Sequence, residues 1–174
     1  MAALLILDFC LRHWKLVIGL LILTFAMQEC RSLVLEAMPA APVSAEARAD
    51  IPGAALRDYQ DAAATCPGLS WALLAAIGKV ESDHGRSTAP GVHWGANYAG
   101  AEGPMQFEPG TWATYGQGGN VYDHRDASFA AARLLCANGA GTPSGVATAV
   151  WTYNHDWGYV ASVQSQAARY AAAA

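Results

Sequence analysis

The sequence predicts a mainly α-helical domain with little or no sheet, broken by one long irregular region. Two observations lead there. Apolar residues on either side of that region recur at helical spacing, in runs opened by capping residues and closed by Gly or Asn. From Arg86 to Tyr122 the periodicity fades: glycine is frequent, proline recurs, and Trp94, Tyr98, Phe107, Trp112 and Tyr115 are interleaved. A long ordered loop of this kind tends to carry function. The 174 residues allow one compact domain plus extensions, and no internal repeat is visible.

Taken in order, residues 1–35 read as a signal peptide or N-terminal membrane anchor. Arg12, His13 and Lys15 precede an apolar run, 16–27, that is short for a membrane span and suited to a signal-peptide core. Val43-Ser44-Ala45 offers small residues for cleavage, far downstream of that core. Residues 36–50, with Pro39, Pro42 and many alanines, read as a linker, and the folded body as 51–172. Pro52 suits the start of a helix over 54–64, closed by Cys66-Pro67-Gly68. Ser70 is a good N-cap for the next helix, which runs from Trp71 and stops at His84-Gly85. A short helix is expected over 109–115. Asp126 is expected to cap a helix over 127–136, stopped by Asn138-Gly139, and Pro143-Ser144 to open one ending near Asn154. The last runs over 159–170.

Charged residues are only 14% and the formal net charge is −4, with no Lys/Arg cluster in the body. Nucleic acid is therefore not the expected partner, because phosphate binding needs a basic face. Cys10 and Cys30 fall in the targeting region, leaving Cys66 and Cys136 in the body. Two cysteines in an exported domain point to one disulfide, against the alternative of two buried thiols.

Glu81 is the candidate catalytic residue. It lies four residues after Ile77 and seven after Leu74, on the apolar face of its helix and in the last turn. Burial and the negative end of the helix dipole both push a carboxyl pKa upward, as a general acid near neutral pH requires. The structural alternative is a boundary glutamate that snorkels to solvent or pairs with Lys79 or Arg86.

Three short motifs follow one another: Glu81-Ser82 at a helix end, Gly103-Pro104-Met105-Gln106-Phe107 in the loop region, and Trp151-Thr152-Tyr153-Asn154. With Ile51-Pro52, Arg57-Asp58-Tyr59 and the segment 76–85, the set resembles the lytic transglycosylases. Within them it is similar to the membrane-bound lytic transglycosylase B-like family of exported bacterial proteins. The resemblance spans about residues 51–170. It implies a lysozyme-like fold (goose-type/lytic transglycosylase) that cleaves the MurNAc–GlcNAc bond of peptidoglycan, an exported monomer whose only membrane link is an N-terminal anchor. It maps the catalytic glutamate onto Glu81 and a substrate-binding serine onto Ser82. Met105, Gln106 and Phe107 become groove residues. Asn154 and Tyr153 match the third motif, whose tyrosine is expected to hydrogen-bond the catalytic carboxyl. Trp94 and Tyr98 are candidate sugar-stacking residues, while Trp71 and Trp151 are expected to pack.

The implied chemistry suits a lone carboxyl. Glu81 protonates the leaving oxygen, then as carboxylate takes the C6 hydroxyl proton, giving a 1,6-anhydro sugar. A hydrolytic muramidase would need a second carboxylate, for which Asp83, Glu102, Glu108, Asp123 and Asp156 are available. A non-catalytic peptidoglycan-binding module would keep the groove and not need the acid. Metal and cofactor are not expected: Glu81-x-x-His84 occurs once where a di-metal bundle uses two copies, and 115–123 lacks the alternating acids of a calcium loop.

Overall fold

Ser44, Ser70, Asp123 and Asp156 each turn a side-chain oxygen onto amides in the first turn of the helix that follows. That capping satisfies donors a helix cannot satisfy internally. The computed structural model describes residues 43–172. Residues 1–35, with their expected targeting role and Cys10 and Cys30, lie outside the described residues. Seven helices follow: α1 Ala45–Asp50, α2 Gly53–Ala64, α3 Trp71–Ser82, α4 Pro109–Tyr115, α5 His124–Ala137, α6 Val146–Asn154 and α7 Trp157–Ala171. Among the described residues, extended pairing is limited to a bridge between Glu102 and Phe107. The mainly helical class stands. No helix among the described residues is long and apolar enough to cross a membrane.

Three boundaries differ from expectation. Residues 45–50, expected to belong to a linker, form α1 with Ala47 fully buried. A six-residue helix has almost no stability alone. This one forms because it packs on α7, with the Ser44 amide bonded to the Tyr170 carbonyl at 3.3 Å. Helix α5 starts three residues earlier than expected, because Asp123 rather than Asp126 accepts the capping bond. Asp156 likewise starts α7 two residues early.

The fold is arranged around α3. Every residue from Trp71 to Gly78 is buried, the pattern of a helix apolar on all sides and enclosed by others. It packs mainly on α7 and α2, and α2 packs in turn on α5. Alanines at 127, 130, 131 and 132 are buried and give α5 a shallow surface. Leu74 and Ile77 are fully buried, each contributing about 1.5–3 kcal/mol of transfer free energy. Glu81 stands one turn beyond them, at the end of the buried helix.

Cys66, just past α2, is bonded to Cys136 near the end of α5 across 70 residues of sequence. Closing a loop of that length stabilises the fold by on the order of 4 kcal/mol through the unfolded state. Replacing both cysteines by serine is expected to lower the unfolding free energy by about that amount. The denaturant m-value should rise, since the unbridged unfolded chain exposes more surface. Urea titration of the oxidised protein and the double variant measures both.

Candidate active site

Helix α3 ends abruptly. Asp83 and His84 both take left-handed backbone conformations, φ 54° and 59°, and Gly85 follows at φ 79°. The chain therefore turns away just after Glu81 and Ser82. Lys79 and Arg86, the two cations beside Glu81 in sequence, do not pair with it. Lys79 reaches Asp50 at 2.8 Å and Asp83 at 2.7 Å, and Arg86 reaches the same two carboxylates at 3.0 and 2.6 Å. An ion pair of Glu81 with either of these cations is thereby excluded, and its hydrogen bond inside the fold, to Tyr159, is not that of a side chain reaching only for solvent.

Glu81 is half-buried, and Tyr159 donates a hydrogen bond to its Oε1 at 2.5 Å. Burial pushes the carboxyl up to about 7, with the Tyr159 bond acting in the opposite sense. The same burial and the nearby carboxylate hold the Tyr159 phenol well above its ordinary range, so it is a donor at any physiological pH. Tyr153 stacks parallel to Tyr159, ring centres 6.4 Å apart. Its hydroxyl donates to the Met105 carbonyl at 2.8 Å, not to Glu81. The expected tyrosine partner is thus corrected: Tyr159 on α7 bonds the carboxyl, and Tyr153 on α6 holds the loop beside it.

A cleft of about 340 Å³ opens at Glu81. Gln106, Phe107, Tyr153, Asn154 and Tyr98 all border it, so the structure brings most of the expected residues to one place. Gln106 is held in a left-handed conformation, φ 48°, uncommon for a residue with a side chain. Its amide donates to the Gly103 carbonyl at 2.8 Å and accepts from Asn97 at 3.0 Å. Phe107 is buried and forms the floor, in tilted contact with Tyr153 and edge-on to Trp112. Tyr98 is fully exposed at the lip.

Three expectations need correction. Ser82, expected to touch substrate, is 2% exposed. Its hydroxyl donates to the Pro104 carbonyl at 2.5 Å and accepts from the Gly85 amide at 2.7 Å, so it joins α3 to the loop. Met105 is fully buried and supports the cleft from behind rather than lining it. Trp94 is exposed but borders a different hollow, formed by residues 88–96.

Of the five candidate second carboxylates, Asp83 is occupied by Lys79 and Arg86, and Asp123 and Asp156 cap helices. Glu102 does not border the cleft, but Glu108 does. Asn97, Thr111, Thr152 and His155 also border it and were not foreseen. Nothing local distinguishes them in the sequence, apart from Thr152 lying inside the third motif. Among the described residues, no group of His, Cys, Asp and Glu could hold a metal ion. Comparison of the chain with protein-family models, curated proteins and solved structures returns no match.

The raised Glu81 carboxyl has a consequence for stability. The folded state binds that proton more tightly than the unfolded chain, so its contribution is intact below about pH 4.5 and is lost as pH rises through about 7. The full shift corresponds to roughly 3 kcal/mol at most. Glu81→Gln keeps an acceptor for Tyr159 without the charge. It is expected to match the wild type at pH 4 and exceed its unfolding free energy by about 1–3 kcal/mol at pH 8. Denaturant melts at the two pH values decide this.

Proposed function

We propose that this protein is a peptidoglycan lytic transglycosylase, an exported enzyme with a lysozyme-like domain, acting on glycan strands as a monomer. The observation that carries the reading is Glu81 itself: a half-buried carboxyl without a cationic partner among the described residues, held by a phenol and opening onto a cleft. A carboxyl pushed up to about 7 is largely protonated in mildly acidic surroundings and can give its proton to a leaving glycosidic oxygen. Tyr159 keeps the acid in one orientation, and after transfer it stabilises the carboxylate that must next act as base. That base takes the C6 hydroxyl proton as O6 bonds to the anomeric carbon, closing the 1,6-anhydro ring. No water is consumed in the net reaction.

Gln106 and Asn154 supply amide donors and acceptors at the cleft for a glycan rich in acetamido and hydroxyl groups. Tyr98 offers an aromatic face at the lip. The alternative reading, a hydrolytic muramidase, gains one specific support: Glu108 shares the cleft with Glu81. As a second carboxylate it would activate water in place of the C6 hydroxyl.

Purified peptidoglycan digested with the protein should yield anhydro-muropeptides, one water lighter than hydrolysed products by mass spectrometry. Reducing-end products alone would establish the muramidase. Glu81→Gln should lower turnover by at least about 10²-fold, the scale of a lost general acid. If that variant lyses walls at the wild-type rate, Glu81 is not the acid; if neither protein cleaves peptidoglycan while both bind it, both enzymatic readings fail and a binding module remains. Glu108→Gln should leave the anhydro product in place. Tyr159→Phe, which removes the bond favouring the ionised carboxyl, should move the alkaline limb of the rate–pH profile upward.

A further inference from the structure

Behind α3, and apart from the cleft, six titratable side chains form an unbroken line. Asp58 Oδ2 lies 2.9 Å from His124 Nδ1, and His124 Nε2 lies 3.1 Å from the Tyr59 hydroxyl. That hydroxyl is 3.2 Å from His84 Nδ1, His84 Nε2 is 3.0 Å from the Tyr170 hydroxyl, and Tyr170 donates to Asp50 Oδ2 at 2.5 Å. The line joins α2, α5, the turn after α3, α7 and the end of α1. Its middle is buried, and a Cβ at Gly78 of α3 would overlap the Tyr59 hydroxyl.

Counting protons shows what the line demands. It contains five hydrogen bonds, and each needs its own proton. Two neutral imidazoles and two phenols supply four. A carboxylate end cannot supply the fifth while it remains ionised. Asp50 is bonded by Lys79 and Arg86, which together with Tyr170 hold it well below the usual carboxylate range against the effect of burial. Asp58 faces Arg125, which also binds Asp61.

We infer that this line is a proton-binding site: it holds one proton more than its neutral groups contain, as an imidazolium on His124 against Asp58. From His124 the donors then run both ways, to Asp58 and through Tyr59, His84 and Tyr170 to Asp50. The other imidazole is the wrong host. The His84 side chain is fully buried between two phenols, with Asp50 3.7 Å away and Lys79 and Arg86 nearby. His124 touches a carboxylate directly and is 21% exposed. Burial pushes His84 down to about 4, in keeping with a neutral ring. The other charged groups facing the line are Asp83, near His84, and Glu46, near Tyr170.

Long-range nitrogen–proton NMR of the ¹⁵N-labelled full chain at pH 7 reads the protonation of each ring. His124 should carry protons on both ring nitrogens and His84 on Nε2 alone. A singly protonated His124 in the folded wild type overturns the inference. Tyr170→Phe separates the line from a simple ion pair, because it removes two bonds and one proton, leaving three bonds and three protons. His124 should then become singly protonated, although the changed residue does not touch it. If it stays doubly protonated there, Asp58 alone accounts for the charge and the line binds no proton. Should Tyr170→Phe fold poorly, Tyr59→Phe leaves the same three-for-three count and the same expectation. Above pH 7, where the remaining loss of the Glu81 contribution is common to both proteins, wild-type stability should fall with rising pH more steeply than that of Tyr170→Phe. Equal slopes would count against the inference. None of these readouts depends on peptidoglycan cleavage.

Discussion

The Ser82 hydroxyl stands between two stretches of backbone, accepting from the Gly85 amide and donating to the Pro104 carbonyl. Through that buried atom the end of α3 is fastened to the loop that carries Gln106. Glu81 is adjacent in sequence, so the carboxyl and the far wall of the cleft belong to one rigid assembly. The loop is secured on other sides as well. Tyr153 bonds the Met105 carbonyl, and the Gly103 amide reaches the Gly91 carbonyl at 2.7 Å. Gly103 takes φ 76°, and a Cβ there would overlap the Val121 carbonyl, so the approach needs glycine twice over. Losing the Ser82 bonds would leave a buried carbonyl unsatisfied at a cost of about 1–3 kcal/mol and loosen both walls together.

The left-handed turn at Asp83 and His84 also decides the electrostatics. By bending the chain back it brings Arg86 to Asp50 and Asp83, the same two carboxylates that Lys79 of α3 reaches. These partly exposed ion pairs contribute little to stability individually. Their larger effect is to leave Glu81 with a phenol and no counter-charge among the described residues, so burial dominates its titration. The same turn places His84 among Tyr59 and Tyr170, where the buried line of donors and acceptors grips the end of α3 from behind. One backbone feature thus separates a charged surface, a buried polar line and an acid facing a cleft.

What could be read without coordinates was local. Ser70 and Pro52 marked helix starts, and the i, i+4, i+7 spacing of Leu74, Ile77 and Glu81 put a carboxyl on an apolar face, because both depend on residues within two turns. The pairing of Cys66 with Cys136 followed from there being two cysteines in the body. The failures were of another kind. Helix α1 has no strong signal of its own and exists through its contact with α7. Ser82 and Met105 stand at motif positions expected to touch substrate, yet the meeting of loop and helix buries both.

The helical class, most helix positions, the two cysteines and the odd placement of Glu81 are all legible along the chain. Short-range spacing and capping chemistry are enough for those. Only the tertiary structure decided that Tyr159, 78 residues away, holds the carboxyl while Tyr153 holds the loop. It also decided that Glu108 shares the cleft while Trp94 does not. Two tyrosines six residues apart carry the same chemistry. Which of them meets a distant carboxyl depends on how α6 and α7 pack against the end of α3, and that packing has no local signature.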